Sequence, residues 1–220
     1  MFKGILAFIP RHISNKTVLG FMEFLRRIAH ISRRKIRDHY KKNEMFFAAN
    51  GIEGFIENQK ELKDVSFGKK NLAFSGCEII AVYNALINLG GAADYPLPKL
   101  ISGFEKDGMI FGGRFGTSPK ALVDFFLKNG YKCDFTRDES EIRRIEPLYD
   151  TFILTIYNDK DNIKRQIHTI NVNKEMSGLI AHNVYGNGVP IGPFPSFEVL
   201  LDSINKGKSK MICIMGIGKA

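Results

Sequence analysis

Between Ile79 and Leu89 the chain puts apolar side chains on nearly every side of a helix: Ile79, Ile80, Val82, Tyr83, Leu86, Ile87 and Leu89, with Gly90 and Gly91 closing the run. A helix that is apolar all round has no face to offer water, so the rest of the chain must surround it. It is therefore the centre of the fold. A chain of 220 residues, 44% apolar and 25% charged, is long enough to bury it in one globular domain.

The elements that do the surrounding change type along the chain. Pro96 and Pro98 lead into a short helix, 99–105, and Ser118-Pro119 open another through Lys128, stopped by Asn129-Gly130. After Pro147 the pattern turns to strands. Residues 151–157 are rich in β-branched and aromatic side chains, 166–172 alternate, and 178–185 follow a polar connection at 173–177. A last strand, 211–217, is entered from a helix at 196–204. Helices first and strands afterwards give an α+β fold, the central helix lying on a small antiparallel sheet.

The first 64 residues read as a helical extension and 65–220 as the main domain. Val18, Leu19, Phe21, Met22, Leu25, Ile28 and Ile31 recur at helical spacing over 17–42, while 44–64 read as shorter pieces around Gly51 and Gly54. The net charge of +9 concentrates in Arg26, Arg27, Arg33, Arg34, Lys35, Arg37, Lys41 and Lys42. Such an arm, 26–42, suits an acidic partner, nucleic acid or an anionic membrane surface, although a solvated helix face also accounts for it. It lacks the interleaved aromatics of a base-stacking platform. Pro10, Arg11 and His12 follow the apolar start, where an export signal would carry small residues, and no apolar run approaches the roughly 18 residues of a membrane span. The expectation is a cytoplasmic protein.

Three separated cysteines, Cys77, Cys133 and Cys213, form neither a disulfide framework nor a zinc motif, and no metal or organic cofactor is expected. Cys133, at a helix exit, and Cys213, in an apolar strand, read as packing residues. Cys77 differs because it stands at the start of the buried helix, where free N–H groups favour a thiolate. A free thiol, with a pKa of about 8.5, still needs a base. His12, His30 and His39 lie in the extension. Of the others, His168 is placed to pair across the predicted hairpin with Asn183, whose side-chain carbonyl would orient the imidazole; strand alternation turns His182 to the opposite face.

These residues carry a resemblance. The segment from Asn71 to Ile87, NLAFSGCEIIAVYNALI, resembles the nucleophile segment of papain-like cysteine peptidases, above all the bacterial branch that removes double-glycine leaders from bacteriocin precursors. The segment from Gly116 to Tyr131, GTSPKALVDFFLKNGY, resembles the helix that follows in such domains, and the His168 to Asn183 spacing resembles their His to Asp/Asn spacing. The likeness spans about 65–217. It implies a papain-like fold and a thiol-dependent hydrolase acting on a peptide or amide through a thioacyl intermediate. Cys77 would be the nucleophile, His168 the base, Asn183 its orienting partner, and Asn71 an oxyanion donor. Asn71 stands where the branch has Gln, and Glu78 where it has Gly. These departures leave open a papain-like acyltransferase or an inactive peptide-binding homologue.

Overall fold

The computed structural model describes residues 14–28, 30–159 and 167–220; the N-terminal apolar stretch and His12 lie outside them. The elements in chain order are α1 (Asn15–Ile28), α2 (Arg33–Asn50), β1 (Ser66–Phe67), β2 (Lys70–Asn71), α3 (Leu72–Ser75), α4 (Cys77–Asn88), α5 (Leu97–Lys106), α6 (Pro119–Lys128), β3 (Tyr131–Thr136), α7 (Ile142–Ile145), β4 (Thr151–Tyr157), β5 (Ile167–Glu175), β6 (Gly178–His182), β7 (Ile191–Phe194), α8 (Phe197–Ser203) and β8 (Lys210–Lys219). The main sheet runs β3-β8-β4-β5-β6-β7, with every described pair antiparallel. The protein is α+β, with its helices ahead of most of its strands.

The helix that is apolar all round is indeed central: each residue of α4 from Cys77 to Leu86 is buried. It packs with α5 and α6 on one face of the sheet, where Ile153, Met215 and Ile217 meet it. By strand alternation Phe152, Leu154, Ile156, Ile170, Val172 and Ile214 line the other face, covered by Phe197 and Leu200 of α8 and by Ile142 and Ile145 of α7. The sheet thus has two apolar faces, which accounts for the unbroken burial of β4.

The extension is two helices rather than one amphipathic helix. Ser32 ends the periodic run because its Oγ accepts from Lys35 N–H and starts α2 afresh. α2 then continues to Asn50, where Gly51, at φ 59°, closes it. It is joined to the main body by polar contacts. Asn43 exchanges two hydrogen bonds with the Ser66 backbone, and His39 Nδ1 meets Glu105 Oε1 at 2.6 Å. Glu105 Oε1 also accepts from Gly68 N–H. Ile56 and Leu62 belong to the same core cluster as α4, so the segment 51–64 is packed into the main body.

α1 packs in an unusual orientation, with Arg26 turned inward against Asp107 (2.8 Å) and Glu23 (3.2 Å) while Phe21, Phe24 and Ile28 face outward, each more than half exposed. It touches both layers. Leu25 O accepts from Phe111 N–H and Glu23 from Ser118 Oγ on the helical side; Asn15 donates to Met211 O, and Leu19 packs by Tyr157 and Cys213, on the sheet side. Among the described residues no helix is long and apolar enough to cross a membrane.

Candidate active site

Cys77 is the first residue of α4, so its N–H is one of the four that have no intrahelical acceptor. The thiol is 7% exposed and lies against β5. The last β5–β6 pair on this side is Asn171 with His182. Two residues earlier, beyond that ladder, the Thr169 N–H hydrogen-bonds Cys77 instead. Glu78 contributes its backbone N–H to the sulfur, and its carboxyl hydrogen-bonds the thiol. Burial, followed by the Glu78 charge, pushes the Cys77 thiol well above its ordinary pKa, against the lowering by the two N–H groups. The resting thiol is neutral.

His168 is the residue next to Thr169. Its Nε2 lies 2.6 Å from the backbone carbonyl of Asn183. A carbonyl only accepts, so Nε2 carries the hydrogen and Nδ1 is the nitrogen free to take a proton. Burial lowers the His168 pKa, against the raising effect of the Asn183 bond. His168 is not among the hydrogen-bond partners of Cys77; what joins them is the β5 backbone at Thr169.

Asn183 reaches His168 by a route different from the expected one. The β5–β6 register pairs Asn171 with His182 and Glu175 with Gly178, so a direct partner for Asn183 would be Ile170, not His168. The ladder stops at His182, Asn183 turns into a left-handed conformation at φ 58°, and its carbonyl rather than its side chain meets the imidazole. Asn is among the residues that tolerate that backbone. Its side chain is used to hold the turn: Oδ1 accepts from Gln59 N–H and Nδ2 donates to Gln59 Oε1, both at 3.2 Å, while Asn183 N–H donates to Glu57 Oε2 at 2.8 Å.

Asn71 does not present its oxygen to the site. Its Oδ1 caps α3 by accepting from Phe74 N–H at 2.9 Å. His182, expected on the face opposite Asn183, is 4% exposed, pairs with Glu57 Oε1 at 2.5 Å and stacks on Phe55. It belongs to a buried polar line through Asn173, Asn171 and Thr151. Cys133 lies in β3, not at a helix exit, and burial, then Asp134, pushes its thiol up to about 12. Burial does the same to Cys213.

Glu57 and Gln59 are the site-supporting residues that the sequence reading missed. Gln59 ties Asn183 to the segment before Cys77, since its Nε2 donates to Leu72 O and Ala73 O. Both residues sit on a strap positioned by Asn84, whose amide exchanges two hydrogen bonds with the Ile56 backbone. A lone amide inside an otherwise apolar helix must find partners, and that was the available signal.

Two shallow concavities, of about 340 and 300 Å³, lie at Arg26 and beside Tyr83, and Cys77 lines neither. Among the described residues no group of His, Cys, Asp or Glu side chains could hold a metal. Comparison with protein-family models, with curated proteins and with solved structures finds no match.

Proposed function

We propose that the protein is a papain-like thiol hydrolase that cleaves a peptide or related amide, with Cys77 as nucleophile and His168 as base. The observation that supports this reading is that the first residue of the buried helix rests on the β5 backbone at Thr169, the sequence neighbour of a histidine whose Nε2 is already tied to a carbonyl. His168 Nδ1 takes the thiol proton as sulfur attacks the carbonyl carbon. The oxyanion forms near the free Cys77 N–H, and Asn71 can assist only through its amide nitrogen, because its oxygen caps α3. As the C–N bond breaks, the imidazolium protonates the leaving amine; His168 then activates water to release the acid from the thioester. Acyl transfer to an amine, the alternative with the same first half, replaces that water.

The test is digestion of a mixed peptide library, read by mass spectrometry. New termini that disappear in both Cys77→Ala and His168→Ala support hydrolysis; products joined to added amine support transfer. Termini that persist in Cys77→Ala contradict both.

The outward stripe of Phe21, Phe24 and Ile28 favours a second, separate role for the extension. Exposed Lys16 and Arg27 flank the stripe, and Arg33, Arg34, Lys35 and Arg37 follow on α2, a combination suited to an anionic lipid surface or an acidic partner. Salt-sensitive sedimentation with phosphatidylglycerol vesicles, absent for phosphatidylcholine and lost in Phe21→Gln/Phe24→Gln, is the expected result. Equal binding by the double variant contradicts it.

A further inference from the structure

We propose that Glu78 is a catalytic residue of this site, a carboxyl that is protonated in the working enzyme and donates its hydrogen bond to the Cys77 sulfur as the thiolate attacks. This rests on the reading of Cys77 as nucleophile. The Glu78 side chain is buried and touches the reacting atom, through a hydrogen bond with the thiol. The loop from α5 to α6 is built around it. A Cβ at Gly116, where φ is +76°, would lie 2.5 Å from Glu78 Oε1, and the Thr117 N–H hydrogen-bonds the carboxyl. Yet Oε2 has no partner, and the hydroxyls of Ser75 and Thr117 are likewise buried without one.

A buried carboxylate with one oxygen unpaired is expensive, whereas a carboxylic acid is far less so and carries a donor. Burial pushes Glu78 up to about 7, against the lowering by its own N–H, the Cys77 thiol and the Thr117 N–H. The groups facing it are Cys77 on its own helix, Thr117 on the loop and the Cys213 thiol on β8, which feels the Glu78 charge; no cation of the described residues acts on it. Ionised Glu78 accepts the thiol hydrogen and sets a negative charge beside the place where the thiolate must form. Protonated Glu78 reverses the bond and becomes the donor.

The step then balances. The thiol proton moves to His168 Nδ1, the S–C bond forms, and the carbonyl π pair moves to oxygen. Collapse breaks the C–N bond, and the proton on His168 leaves with the amine. Glu78 keeps its proton throughout. Because His168 must be neutral and its pKa is lowered by burial, the working range lies on the acid side of neutrality.

The experiment follows the rate of Cys77 alkylation by iodoacetamide from pH 5 to 9, by peptide mapping, in the wild type and Glu78→Gln. The wild-type rate is expected to level off above about pH 7, because further deprotonation only ionises Glu78. The Gln variant, which cannot ionise, keeps climbing and is roughly tenfold faster or more at pH 8.5. Glu78→Ala gives the same separation if the Gln variant does not fold. Selective Cys77 labelling with one pH profile in wild type and variants overturns the role of Glu78 and leaves the nucleophile standing. Cys77 labelled no faster than Cys133 in any of them overturns both.

Discussion

The backbone carbonyl of Asn183 holds His168 Nε2 at 2.6 Å, and it can do so only because Asn183 leaves the β6 ladder in a left-handed turn. The turn is fixed by Gln59 and Glu57, two residues more than 120 positions earlier in the chain. Asn183→Gly keeps the backbone accessible and removes only the side-chain bonds, whereas Asn183→Ala also strains the turn. We expect Gly to cost about 1 kcal/mol and Ala about 2 to 3 kcal/mol in urea unfolding. Cys77 labelling should fall further in Ala than in Gly.

Glu57 joins the same turn from a second side, through His182 Nδ1 and Asn183 N–H. Removing its carboxylate leaves both of these partners inside the protein without an acceptor. Glu57→Ala should therefore destabilise by about 3 kcal/mol. A stability unchanged by this substitution in denaturant titration would show that water replaces the carboxylate.

Glu78 also makes a prediction about stability. Its folded pKa is raised from 4.5 to about 7, so the folded state holds the proton more tightly than the unfolded chain. This contribution is fully present below about pH 4.5 and is lost as pH rises through 7, amounting to roughly 3 kcal/mol. Glu78→Gln removes the dependence. Its stability relative to the wild type, from unfolding curves at pH 5 and 8, should be greater at pH 8.

Arg26 fixes α1 through Asp107 and, at 3.5 Å, Asp124, while Glu23 on the same helix holds its guanidinium. Asp107 is 75% exposed and Asp124 44%, so solvent screens much of the attraction, and packing of the buried arginine stem supplies the rest. Arg26→Ala should cost about 1 to 2 kcal/mol. The sharper readout is local: limited proteolysis between α1 and α2 should accelerate while the remainder of the chain stays protected.

The parts of this fold that were legible in sequence are those governed by local pattern. The central helix followed from Ile79 to Leu89 and its glycine stop, and β4 from its run of β-branched residues. β3 escaped although Tyr131, Cys133 and Phe135 alternate with polar Lys132, Asp134 and Thr136, because the segment directly follows a helix and reads as its exit; β7 escaped because Gly192 and Pro193 occupy half of it. Of the candidate site, the sequence placed His168 and Asn183 together but not the way in which they meet. Asn183 was expected to act through its side chain, and the end of a ladder decided otherwise. Asn71 was expected to donate through its amide nitrogen, and that group is not engaged by the cap; what the sequence did not reveal is that its oxygen caps α3. Glu57 and Gln59 lie in an irregular strap with no periodicity; only Asn84, an amide inside an apolar helix, pointed towards it.

The proposed function requires Cys77 to be a nucleophile served by His168. The most direct measurement is competitive labelling of the three thiols by limiting iodoacetamide at pH 6, followed by peptide mapping. Burial raises all three thiols, so any advantage of Cys77, which is only 7% exposed, must come from its base: Cys77 is expected to react roughly tenfold faster than Cys133 or Cys213, and His168→Ala to remove the advantage. Labelling led by the more accessible Cys133, with Cys77 indifferent to His168, would contradict it.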